Sequence, residues 1–294
     1  MSFLTSGRTT DATKTQRRPS TGGLILVAAI ALISPALALP NPAETPSKAN
    51  DLLRVAIANE KRSEKNQYFA WTDRLQKPRG TVTKLMVDTP QGILARTVAV
   101  NDKPLSAEER KQDDERINRL LDPKTMRDKA KKQHDDQQHI ERLLFALPDA
   151  FLCEYATTGH EDRNLRLECA PNPGFSPPNY ESQILQGMKS VILIDREEKR
   201  ISRIEGTLIR DVTFGWGFLA RLDRGGHIEI TQARVADRHW SITGMQLAFA
   251  GRIVIVKPLN VAQSETCSDY RAVPKMSVAQ ALEFLRNAPA KPSR

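Results

Sequence analysis

The sequence predicts an α+β fold: one strongly curved antiparallel sheet of about ten strands, a half-barrel, with covering helices and an inserted charged helical hairpin. Three observations predict it. A two-residue apolar period runs from Asn66 to Val100 and returns from Phe151 to Val273. The strand candidates follow one another across short turns, which favours hairpin pairing over parallel crossovers. A sheet of that many strands curls rather than staying flat. The chain has 294 residues and 39% apolar content, enough for a core.

The first 38 residues read as a secretory signal. Arg8, Lys14, Arg17 and Arg18 make a basic start, Leu24 to Ile33 is an apolar run, and Ala36-Leu37-Ala38 is an A-x-A site, so cleavage is placed after Ala38. The uncharged stretch from Thr21 to Leu39 also approaches the length of a membrane span, so the alternative is a retained anchor, the chain's only route to a membrane. Arg17-Arg18 raises twin-arginine export, but Pro19-Ser20-Thr21 does not complete that signal, and Sec export is the other route. Removing four bases and one acid takes the net charge from +9 to +6, modest and dispersed, which excludes a nucleic-acid footprint.

Residues 39–49, with Pro40, Pro42 and Pro46, read as a flexible lead-in to a single domain over 50–288. A helix is predicted from Asn50 or Asp51, with Leu53, Ala56 and Ile57 on one face. Strands follow at Tyr68 to Trp71, around Val82 to Val87 and at Leu94 to Val100, with turns at Pro78-Arg79-Gly80 and Thr89 to Gly92. Ser106 and Glu109 form a capping box that opens the helical insertion 106–147. Asp122-Pro123 divides the insertion into two charged helices, and Pro148 is predicted to stop the second. Alternating charges make it a solvated hairpin anchored by Ile117, Leu120, Leu121, Ile140, Leu143 and Leu144.

Phe151 to Thr158 and Asn164 to Ala170 read as a hairpin around Gly159 to Asp162, and Pro171 to Tyr180 as a loop. Further strands are predicted at Ser190 to Asp195, Arg200 to Phe214, Phe218 to Leu222, His227 to Val235, Trp240 to Ala250 and Ile253 to Lys257. Turns are placed at Arg224-Gly225-Gly226 and Ala250-Gly251. Ser277 and Gln280 cap a closing helix with Val278, Ala281, Leu282 and Leu285 on one face, and residues 289–294 are a tail.

In an oxidising compartment Cys153 and Cys169 are candidates for a disulfide: a hairpin register summing to 322 sets them opposite each other. A slip of one residue would put them on opposite faces. Cys267 is then left as a buried small hydrophobe.

No catalytic constellation emerges, so the chain reads as a non-enzyme. His134 and His139 are five apart on a charged helix and do not share a face; His160, His227 and His239 sit at turns or strand ends. The sequence lacks H-E-x-x-H, C-x-x-C and G-x-S-x-G. Gly215 to Ala220 matches G-x-G-x-x-A formally but opens no helix, so no cofactor is expected. One apolar stripe stands out instead. Val212, Phe214, Trp216 and Phe218 alternate with Thr213, Gly215 and Gly217, and Phe69 with Trp71 makes a shorter stripe. Such stripes are either core beneath a helix or the wall of an apolar cavity in a curved sheet.

The part order, together with Tyr68 to Trp71, Asn101 to Ser106, Ile204-Glu205-Gly206 and Thr213-Phe214-Gly215, resembles a group of uncharacterised exported bacterial proteins assigned to the periplasmic lipoprotein-carrier superfamily of the LolA and LppX type. The resemblance covers most of residues 50 to 285. It implies a half-barrel with helices as a lid over an apolar cavity that receives acyl chains, needing no catalytic groups. The expected function is therefore a periplasmic or envelope protein binding lipid or lipidated cargo. The alternative is an envelope interaction or sensor protein with a packed core and a protein partner, met through the charged hairpin.

Overall fold

The structure, a computed structural model, describes residues 47–61, 67–157, 163–214, 220–237, 239–253 and 257–288. The signal segment, its Ala38 cleavage site, most of the lead-in, the Gly159 to Asp162 turn and the C-terminal tail lie outside the described residues. Among those described, no helix is long and apolar enough to cross a membrane.

Helix α1 (Lys48–Lys61) starts two residues earlier than predicted, because Ser47 is its cap: the Asn50 N–H donates to the Ser47 hydroxyl at 3.2 Å. Strands β1 (Tyr68–Lys77), β2 (Gly80–Thr89) and β3 (Gly92–Val100) form the expected meander. Asn101 and Asp102, both at positive φ, turn β3 into the two-residue β4 (Lys103–Pro104). The Ser106–Glu109 capping box opens α2 (Ala107–Asn118), and a short 3-10 turn (Arg119–Leu121) follows. Asp122 then caps α3 (Pro123–Ala150), with Pro123 at the first helical position, where its missing N–H costs nothing. Ile117 and Leu120 are buried as predicted, whereas Leu121 and Ile140 are exposed; Met126 and Leu147 are buried anchors that charge patterning hid.

Pro148 does not stop α3, which continues to Ala150. Only one intrahelical bond is lost there, and Asn50 takes up the Pro148 carbonyl at 2.9 Å. Next come β5 (Phe151–Tyr155), β6 (Asn164–Pro171), a 3-10 segment (Glu181–Gly187), β7 (Met188–Asp195) and β8 (Ile201–Leu208). The predicted strand Arg200 to Phe214 is two strands. It bends at Ile209 to Asp211, where the Arg210 guanidinium donates to the Gln186 carbonyl, and resumes as β9 (Val212–Phe214). The rest is β10 (Ala220–Leu222), β11 (His227–Ala236), β12 (His239–Ile253), β13 (Lys257–Val273) and α4 (Val278–Asn287).

Ala250-Gly251 is not a turn: β12 passes straight through it. The glycine serves a close approach instead, since a Cβ at Gly251 would meet the carbonyl oxygen of Arg221 on β10. The strands β12 and β13 that run beyond the predicted Ile253 to Lys257 segment bring the sheet to 13 strands among the described residues, ordered β4-β3-β2-β1-β13-β12-β11-β8-β7-β6-β5, with β10 attached to β12 and β9 to β10. β4 and β5 are not paired, so the sheet is open.

The covering helices do not share one face of this sheet. Ala70, Val87 and Leu94 lie directly opposite one another across β1, β2 and β3 and are buried under α2 and α4. Leu75, of opposite parity on β1, belongs to a rung that leads through Glu265, Met245, Ile230 and Ile204 to Ile192 and Leu167. The last two are fully buried under α1 and the end of α3. Directly opposed residues share a face, so the two cores lie on opposite faces. Twist reconciles this: at roughly 20–25° per strand, the six steps from β2 to β7 turn the sheet by about 120–150°. Opposite faces then point nearly the same way, and α3 serves both. Near its start Lys129 and Gln133 donate to the Ile93 carbonyl of β3, at 2.6 and 3.0 Å, and its end runs into β5.

Cys153 and Cys169 are directly opposed on β5 and β6 and form a disulfide. The register is the one that sums to 322, and the link staples the edge hairpin beneath α1.

Candidate functional site

The reversal of faces leaves the middle of the sheet half-covered. On the face that buries Ile192 and Leu167, the side chains of Ile204, Ile230, Met245 and Leu75 continue the same rung but are only half-buried. The neighbouring rung runs Gly206, Ile228, Leu247 and Gln263, with Ile228 and Leu247 again half-buried. Along β12 the alternation is complete: Met245, Leu247 and Phe249 are shielded, while Gln246, Ala248 and Ala250 are exposed. Behind them Arg203 pairs with Glu205 and Glu229 at 2.8 and 3.0 Å on the solvated face. One face of the central strands is therefore apolar and incompletely covered, the other charged.

Glu265 interrupts the apolar rung between Met245 and Leu75. Cys267 lies opposite Asp73, and the carboxylate and sulfur atoms of Asp73, Glu265 and Cys267 all fall within 4.8 Å of one another. Asp73 is 8% exposed and Cys267 9%; the Asp73 and Glu265 carboxyls hydrogen-bond each other, and Asp73 Oδ1 has no further partner. Burial raises the Asp73 carboxyl above its ordinary range, with Lys84 across the ladder opposing. Burial and then the Asp73 charge raise Glu265. The Cys267 thiol, buried beside two carboxyls, is pushed up to about 12. Past Cys267, Asp269 at positive φ supports a bulge opposite β1, which turns Tyr270 onto Trp71 in a stack at 5.7 Å. The Tyr270 hydroxyl donates to the Ile242 carbonyl at 2.7 Å.

The predicted stripes are not brought together. Val212 is buried against Gly187, and Phe214 packs at the margin of the α1-side core. Trp216 and Phe218 lie outside the described residues. Phe69 is buried and stacks on His239 at 4.1 Å, near the opposite end of β12 from the β9–β10 attachment. A groove of about 690 Å³ touches Val212 but is otherwise walled by residues such as Gln183, Gln186, Arg210 and Asp211. A second, of about 700 Å³, runs between Tyr68, Asp237 and Val273. The residues that sequence reasoning missed are Ile204, Ile230, Met245 and Leu247 on the apolar face, and Asp73, Glu265 and Cys267 at its end. The alternation Met245, Leu247, Phe249 was a usable signal for the first group.

Asp88 lies near this region, its carboxylate accepting from the Phe69 N–H at 3.4 Å. Burial raises it from 3.8 to about 6. An acid whose folded value is raised holds its proton longer in the folded state, so stability falls as pH rises from about 4 to about 6 and stays lower above. Asp88→Asn is therefore expected to gain about 1–2 kcal/mol above pH 6, after allowance for partial solvent screening, and nothing near pH 4. Urea denaturation at pH 4 and pH 7.5 checks this; an equal effect at both would overturn it.

No protein-family model and no curated protein matches the chain. Among solved structures it is similar to a domain from Vibrio parahaemolyticus named for outer membrane lipoprotein sorting, with 13% identity, a TM-score of 0.34, and coverage of 80% of this chain and 99% of that one. At that score the architecture rests on this chain's own strand register.

Proposed function

We propose that this chain is an exported, non-catalytic envelope protein that takes an acyl lipid or the acyl chains of a lipidated protein onto the apolar face of its sheet. The observation that carries this reading is the half-buried row Ile204, Ile230 and Met245, with Ile228 and Leu247 beside it, which extends from the α1-side core, where Ile204 and Ile228 pack, and is only partly shielded. Each methylene laid on such a surface contributes on the order of 0.8 kcal/mol, so two acyl chains need no polar catalysis to be held. The disulfide supports an oxidising compartment.

The test is native mass spectrometry of the protein purified from its own envelope fraction, followed by organic extraction. A bound acyl lipid near unit occupancy is expected. Leu247→Asp should reduce occupancy on the order of tenfold or more while keeping the far-ultraviolet circular dichroism, because it sets a charge on the acyl path. A bare protein that also takes up no lipid from acyl-lipid vesicles would overturn the reading. Salt-sensitive crosslinks through α2 and α3 would then favour a protein partner.

A further inference from the structure

We propose that Asp73, Glu265 and Cys267 bind one divalent transition-metal ion of the zinc type, on the sheet face at the end of the apolar rung. The site is independent of the lipid-binding reading. Three observations carry it. The donor atoms converge from two adjacent strands, all within 4.8 Å of one another. Donors of a four-coordinate zinc ion lie about 3.5 Å apart, so small side-chain rotations close the set. Asp73 is more than nine-tenths buried; its carboxyl shares a hydrogen bond with Glu265, which needs a proton between the two, and its Oδ1 has no further partner. One shared proton leaves acceptor capacity on two buried carboxyls unused, and a cation between them would take the proton's place and satisfy it.

The cations already nearby do not. Lys84, across the ladder from Asp73, attracts both carboxylates, and Lys77 attracts Glu265, but among the described residues neither lysine forms an ion pair within 4 Å. The donor set also has a chemical preference. One thiolate with two carboxylates suits a borderline ion such as zinc, whereas calcium and magnesium favour oxygen alone. Three protein ligands leave a fourth position for water or an external group, the pattern of an open rather than a closed site. Binding displaces the Cys267 thiol proton to solvent as the metal–sulfur bond forms, with no change of oxidation state.

Cobalt(II) is the probe. Added to metal-free protein with its disulfide intact, it is expected to give a near-ultraviolet sulfur-to-cobalt charge-transfer band that saturates at one equivalent and is bleached by zinc. Cys267 is the free cysteine of the chain, so the wild-type band by itself reports this thiolate, whether or not a variant folds. Cys267→Ser should abolish the band, and Asp73→Asn should weaken binding by roughly tenfold or more. Cobalt that gives no charge-transfer band, bound elsewhere or not bound, would overturn the site. So would a wild-type protein that shows no zinc adduct by native mass spectrometry.

Discussion

Asn50→Leu is expected to cost about 3–5 kcal/mol of unfolding free energy, although leucine has nearly the same volume. The Asn50 amide nitrogen donates to the carbonyls of Pro148 and Phe151, at 2.9 and 2.7 Å, and its oxygen accepts from the Cys153 N–H at 2.8 Å. Two of these partners are carbonyls around the end of α3, where helix geometry leaves acceptors without N–H groups. Asn50 is 4% exposed, so water does not replace it. Leucine would keep the packing and strand three buried backbone groups. Ser47→Ala, which removes a 2.6 Å bond to the Cys153 carbonyl and the helix cap, should cost only about 1 kcal/mol. Urea denaturation of both variants gives the comparison. A loss below about 1 kcal/mol for Asn50→Leu would show that the three groups find other partners.

That one side chain joins α1, α3 and β5, and nothing in the sequence around Asn50 announces it. What was legible there was local: the apolar face of α1, the capping boxes at Ser106 and Ser277, the Cys153–Cys169 register and the hairpin turns. Each is decided by residues close in sequence, at most 16 positions apart for the disulfide. β13 was largely missed for the opposite reason. Its shielded positions Val261, Gln263, Glu265 and Cys267 alternate with exposed Ala262 and Thr266 and half-buried Ser264, so polarity carries almost no period of two. Gly251 misled because a glycine demanded by a neighbouring strand looks the same in sequence as one demanded by a turn.

The site was less legible than the fold, because it is a property of register across six strands. Ile204, Ile230 and Met245 are unremarkable strand residues until pairing sets them in one rung. That they share a face with Ile192 follows from register, and that α3 can still serve both this face and the one under α2 and α4 follows from twist accumulated strand by strand, which no local pattern encodes. The Asp73, Glu265 and Cys267 cluster joins residues about 190 positions apart, and only the β1–β13 ladder brings them together. The aromatic stripes that drew attention in the sequence did so by side-chain size, and size is satisfied as readily by a core as by a binding surface.

A buried ion pair fixes the C-terminal end of α1 to the start of β8. Arg200, in the turn before β8, donates to Glu60 through Nε and Nη2 at 3.0 and 2.8 Å, and to the Asn59 carbonyl at 3.1 Å. Glu60 also accepts the Ile201 N–H at 3.1 Å. The two side chains are 9% and 10% exposed. Glu60→Ala is expected to cost about 3–5 kcal/mol, because it leaves the guanidinium buried without its counter-charge. Removing both charges, as Glu60→Met with Arg200→Met, should recover most of that loss, since a well-packed apolar pair escapes the desolvation that the ions bear. The wild-type contribution should also change little with added salt, as shielded pairs are weakly screened. Denaturant unfolding of the two singles and the double, at low and high ionic strength, completes the cycle. A single variant that costs less than about 1 kcal/mol, or a double variant that falls as far as the sum of the singles, would show that the pair does not hold α1 over the sheet.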